Sequence, residues 1–154
     1  MSLHKYISPL LGQYHKCESV VYFFLKELNI SVPLALLKKQ LDIHPDYPSM
    51  LAISDILSNY GVKNTSIKTD IKALGRVDEP LIAQIQIKGE DLFIVILRIQ
   101  SDIVEYLDPI HFRNSKMGID DFNYIFSGIL LQGMNQNIRQ LSSRMNSKEN
   151  PERK

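Results

Sequence analysis

The chain has 154 residues, 44% of them apolar and 23% charged, and a formal net charge of +1; that balance is globular and excludes a disordered, collagen-like or coiled-coil chain. Lys and Arg outnumber Asp and Glu by 5 to 2 from Arg139 onward, against 13 to 15 up to residue 138, which leaves no basic stripe for a nucleic acid. The longest apolar runs, Val20 to Leu25 and Leu92 to Leu97, are far shorter than the roughly 18 residues of a membrane span, and no basic-then-apolar export segment opens the sequence, so a cytoplasmic protein without direct membrane insertion is expected.

Glu18 to Leu28 carries Val21, Phe24, Leu25 and Leu28 at helical spacing and stops at Asn29, which predicts a buried first helix. A second begins at Pro33, with Leu34, Leu37 and Leu41 on one face, and ends near Ile43. The prolines of His44-Pro45-Asp46-Tyr47-Pro48-Ser49 separate it from a third, which Pro48 opens and Gly61 closes, with Met50, Ile53, Leu57 and Tyr60 on its apolar face. The period then changes. Thr65 to Lys68, Pro80 to Ile87, Leu92 to Ile99 and Ile103 to Leu107 read as strands, the last three as an antiparallel meander turning at Lys88 to Asp91 and at Gln100 to Asp102. Leu92 to Leu97 is apolar on both faces and is expected at the centre. Gly118 to Phe126 is a short helix and Gly128 to Leu131 a last strand. This order predicts one α+β domain over residues 1–134, an N-terminal helical half packed on a C-terminal antiparallel sheet, followed by a polar, frayed tail over 135–154. Phe24, Leu28, Leu37, Ile53, Leu57, Ile82, Val95 and Ile96 are expected to form one continuous core.

Cys17 is the single cysteine, which excludes an internal disulfide framework and a multi-cysteine zinc site. It immediately precedes the first helix, where unpaired amides and the helix dipole lower a thiol pKa and favour a nucleophilic thiolate. The alternative reading is a small buried apolar residue. A thiol nucleophile needs a base, normally a histidine, and that base an orienting carboxylate or amide. The histidines are His4, His15, His44 and His111. His15, two residues from the thiol, is read as solvent-exposed, His111 as a surface-loop residue, and His44 as holding the proline-rich corner. Tyr6, Tyr14, Tyr22, Tyr47 and Tyr60 are expected to plug core edges. Histidine and carboxylate spacings give no metal site, and no phosphate-cradling loop is present, so no cofactor is expected.

A cysteine at the start of a first helix, a helical half, a strand that should begin with a histidine, and Asp108-Pro109 at the end of the next strand resemble the bacteriocin-processing, double-glycine leader peptidase family. That papain-like domain occurs alone or ahead of peptide-exporting ABC transporters. The resemblance runs from roughly Gln13 to Gln132 and includes Pro80-Leu81-Ile82-Ala83 and Asp121-Phe122 through Phe126-Ser127-Gly128. His44 to Gly61, with Tyr47-Pro48-Ser49-Met50-Leu51-Ala52-Ile53-Ser54-Asp55, is similar to a variant from Bacteroidetes-type bacteria, often found ahead of a vitamin K epoxide reductase-like membrane region.

The resemblance implies Cys17 as nucleophile or its vestige, Asp108 as orienting carboxylate and Gln13 as a possible oxyanion donor. The sequence departs at the base: where the family has His-Phe-Val-Val, this chain has Leu92-Phe93-Ile94-Val95, so Leu92 replaces the base and is expected to stand beside Cys17. The family's Asp-Cys-Gly is here Lys16-Cys17-Glu18, and Gln13 stands four residues ahead of the cysteine instead of six. The expected function is therefore that of a degenerate, non-catalytic domain binding a peptide or leader segment, linked to peptide maturation or export. Two alternatives stand beside it. One is an active cysteine peptidase cutting double-glycine leaders with an unusual base; the other is a regulatory or structural partner domain of a membrane oxidoreductase or transporter.

Overall fold

Helix formation follows the apolar spacing. In the computed structural model, which describes residues 17–108 and 110–134, α1 spans Cys17–Glu27 and buries Val20, Val21, Phe24 and Leu25. It stops where Asn29 turns to a φ of 63° and the Ile30 N–H donates to the Leu25 carbonyl at 2.9 Å, closing a carbonyl the helix end leaves open. The next helix, α2 (Leu34–Asp42), starts one residue after Pro33, whose carbonyl accepts from the Leu37 N–H. Its buried face is Leu37 and Leu41. Helix α3 (Met50–Asn59) is capped by Ser49, not opened by Pro48: the Ala52 N–H donates to the Ser49 hydroxyl at 3.1 Å. Gly61 ends it at a φ of 79°.

His44 holds the corner between α2 and α3. The Asp46 N–H donates to its Nδ1 at 3.0 Å, so the ring proton sits on Nε2 and is donated to Asp55 at 2.8 Å.

Six strands follow: β1 (Lys63–Lys68), β2 (Leu81–Ile87), β3 (Glu90–Gln100), β4 (Ile103–Leu107), β5 (Asn114–Gly118) and β6 (Phe126–Met134). Between them lie a 3₁₀ turn at Ile71–Leu74 and a short helix α4 (Ile119–Ile125). The sheet order is β1-β6-β2-β3-β4-β5, and every pairing is antiparallel. The expected meander β2-β3-β4 is its centre. Both of its turns have two residues, Lys88-Gly89 and Ser101-Asp102, all at positive φ, the geometry that matches the twist of a hairpin. The last strand runs longer than Gly128 to Leu131 and inserts between β1 and β2.

The core differs from the expected one. Ile82, Phe93, Val95, Leu97, Leu107 and Leu131 face the three helices in one buried cluster with Phe24, Leu28, Leu37, Ile53 and Leu57. Leu81, Ala83, Ile85, Leu92, Ile94 and Ile96 point the other way, against Ile71, Phe122 and Ile125. Adjacent residues of a strand face opposite sides, so Val95 and Ile96 belong to separate cores divided by the sheet. Among the described residues no helix is long and apolar enough to cross a membrane. Residues 135–154, expected as a tail, lie outside the described residues.

Candidate functional site

Helix α1 begins at Cys17 and packs against β3 and β2, which sets the thiol between the helical half and the sheet. Cys17 is fully buried. Burial first, and the neighbouring Glu18 charge second, push its thiol up to about 12. Of the two readings of this cysteine, the structure matches the small buried residue and not the activated thiolate, because removing the sulfur from water opposes ionisation. A protonated thiol is a weak nucleophile. Among the described residues no hydrogen-bond partner is found for its sulfur.

Leu92 is not beside the thiol. It belongs to the cluster on the far face of the sheet, whereas Phe93 belongs to the cluster that contains Cys17. The sequence match to the family histidine placed Leu92 one residue out of phase with the face that matters, because side chains alternate along a strand. On the helix-facing side the cross-strand pairs run Ile82 with Val95, Gln84 with Phe93 and Gln86 with Asp91, passing from buried to exposed.

Asp108 ends β4 and is engaged by its own loop. Its Oδ1 accepts from the Ile110 N–H at 2.7 Å and the His111 N–H at 3.4 Å, and its Oδ2 lies 3.4 Å from His111 Nδ1. The loop closes when the Phe112 N–H donates to the Asp108 carbonyl at 2.6 Å. Phe112, at a φ of 53°, stacks on Phe23 with ring centroids 4.6 Å apart. Phe23 stands six residues beyond Cys17, about 9 Å along the axis at the helical rise. The loop that carries His111 is therefore anchored to the middle of α1 through Phe112, and the His111 side chain, 58% exposed, pairs with Asp108. Gln13, His4, His15 and Pro109 lie outside the described residues, as do Tyr6 and Tyr14. Among the described residues no group of three or more His, Cys, Asp or Glu side chains is placed to hold a metal ion.

Two residues that the sequence did not single out as functional stand at the thiol. Glu18 is only 5% exposed, and among the described residues its Oε2 has no hydrogen-bond partner. Tyr47, expected as a core-edge plug, does pack on the helix-side core. Burial, and then the charges of Cys17, Glu18 and Asp42 together with the pull of the Glu18 carboxylate on the hydroxyl proton, raise Tyr47 to about 12. The available signal was Glu18 itself, a carboxylate following the cysteine in a segment otherwise set for burial.

Several solved structures share this fold. A double-glycine motif protease from an AMS/PCAT transporter, solved in complex with the leader peptide, is 19% identical and superposes with a TM-score of 0.66 over 77% of this chain and 83% of its own. The peptidase domain of Streptococcus ComA, described as a bifunctional ABC transporter in quorum sensing, is 18% identical, with a TM-score of 0.63 over 76% and 88%. The N-terminal peptidase C39-like domain of a toxin secretion ATP-binding protein from Vibrio parahaemolyticus is 13% identical, with a TM-score of 0.58 over 77% and 94%. No curated protein matches the sequence. The α+β architecture is thus the papain-like one of these domains, and with the Peptidase C39 family model matching residues 18–137, the chain belongs to that family.

Proposed function

We propose that the protein is a non-catalytic member of its family that holds a peptide or leader segment between its helical half and its sheet without cutting it, on the cytoplasmic side of a peptide maturation or export system. The observation that carries this reading is the thiol: Cys17 is fully buried, which with the neighbouring Glu18 charge pushes it up to about 12, and among the described residues no histidine is hydrogen-bonded to its sulfur. Acyl transfer from a thiol without a base loses several orders of magnitude in rate. The helix-facing side of the sheet, meanwhile, carries polar side chains toward its exposed end at Gln84, Gln86 and Asp91, which an extended chain could pair with. The solved relative bound to its leader peptide supports a peptide as the ligand class, and its transporter origin supports a membrane exporter as the larger partner.

The test is an overnight digest of double-glycine leader peptides by the protein and by Cys17→Ala, with binding measured in parallel by fluorescence anisotropy. No cleavage is expected from either, and both should bind with affinities within about twofold, well under the tenfold step of 1.4 kcal/mol. Cleavage that depends on Cys17 refutes the non-catalytic reading. Absence of both cleavage and binding favours a structural partner domain instead.

A further inference from the structure

Glu18 is the buried polar group left without an account. Its Oε2 is buried and, among the described residues, unpartnered, although the residue lies at the start of α1 beside Cys17 and Tyr47. A carboxyl oxygen in such a place is costly unless a ligand supplies the missing hydrogen bond, and an unsatisfied buried group in a folded protein calls for a missing partner. The surroundings are negative. After burial, the charges of Cys17, Glu18 and Asp42 raise Tyr47, while Lys38 is already engaged by Asp42 at 2.9 Å. A neutral N–H donor relieves only the open lone pair, whereas an ammonium or guanidinium group relieves the charge as well.

We infer that Glu18 receives the cationic side chain of a lysine or arginine in the bound peptide, flanked by the Tyr47 hydroxyl. This rests on the peptide-binding reading above and names what that groove selects. Cys17 is then a neutral wall of the subsite, and the buried carboxylate beside it is the group that recognises the ligand.

The experiment measures anisotropy with N-acetylated double-glycine leader peptides carrying one lysine or arginine at successive positions, against the same peptides with glutamine or norleucine there. The protein, Glu18→Gln and Tyr47→Phe are compared. At one peptide position the cationic form should bind the unmodified protein about tenfold more tightly than the neutral forms, as expected for a charge-assisted pair out of water. Glu18→Gln should reduce that preference to within about twofold while retaining affinity for the neutral peptide. The carboxamide variant should fold with a midpoint close to the parent's, because it keeps the size and shape of the side chain. Should it fail to fold, Glu18 is a structural residue and the inference falls. Equal binding of cationic and neutral peptides overturns the inference while leaving peptide binding intact, as does a preference that survives Glu18→Gln. Binding of no peptide removes the underlying reading itself.

Discussion

Cys17 shows how burial can reverse what sequence position promises. Its place at the opening of α1 was legible, because the apolar period begins directly after it; the depth of its burial was not, since that depends on β3, β2 and the corner at Tyr47 closing over it. The consequence is measurable in alkali. Both Cys17, raised from 9.0 to about 12, and Tyr47, raised from 10.0 to about 12, hold protons more tightly folded than unfolded. Their contribution to stability is therefore complete below the unfolded thiol value, and it is lost as pH climbs from about 9 towards the folded values. Urea midpoints should fall across that window, and more gently in Cys17→Ala; parallel curves would show that the thiol is not held protonated. The face assignment of β3 gives a second outcome. Leu92→His puts an imidazole into the far-face apolar cluster, costing roughly 2 to 4 kcal/mol and yielding no cleavage, whereas Phe93→His places it on the Cys17 side. Cleavage gained by Leu92→His and not by Phe93→His would reverse the phase of the strand.

The elements were legible in proportion to their burial. Helices α1 to α3 and strands β2 to β4 carry runs of buried residues whose period is visible in the sequence, and each was placed to within a few residues. β5 was missed because Asn114-Ser115-Lys116-Met117-Gly118 has one buried residue, Met117, and an edge strand with one face in solvent has no apolar alternation to find. The insertion of β6 between β1 and β2 follows from pairing at a distance, and no local pattern encodes it. Turns are a separate case. Ser101 and Asp102 take positive φ values of 54° and 60° in a two-residue hairpin, where residues with a Cβ bear a cost of roughly 1 kcal/mol or more each. Replacing the pair by Asn-Gly, the pair suited to that turn, should raise stability by about 1 kcal/mol. The Asp102 contact used by α4 is its backbone carbonyl, which accepts from the Ile119 N–H at 2.8 Å and survives the change. An unchanged or lower urea midpoint, at constant slope, would mean that the Asp102 side chain has a role of its own.

At the scale of the molecule, the sheet separates two cores, and this division links stability to the site. The helix-side core contains Cys17, Phe24 and Phe93, so the thiol's surroundings depend on the packing of the helical half against β2 and β3. The far-side core, centred on Phe122, Ile85 and Ile94, supports the same strands from behind and does not contain Cys17. The sequence showed the apolar residues of both cores but not their separation, because a strand such as Leu92 to Leu97, apolar on both faces, does not reveal which residue goes which way. The separation predicts how perturbations combine. Phe24→Ala and Phe122→Ala each remove a fully buried ring and should each cost about 3 to 5 kcal/mol. Milder truncations keep the doubly substituted chain folded, so the informative pair is Leu28→Val with Ile125→Val. Residues in clusters on opposite faces share no partner, and their costs should add to within about 0.5 kcal/mol. Leu28→Val with Val95→Ala, both in the helix-side cluster, should depart from additivity by more than that. Peptide binding should follow the same division: a far-side truncation lowers the melting midpoint while leaving peptide affinity in the folded protein unchanged, and a helix-side truncation alters both. Equal effects on affinity from the two faces would mean that the sheet transmits strain from one core to the other, and that the far side is part of the binding apparatus.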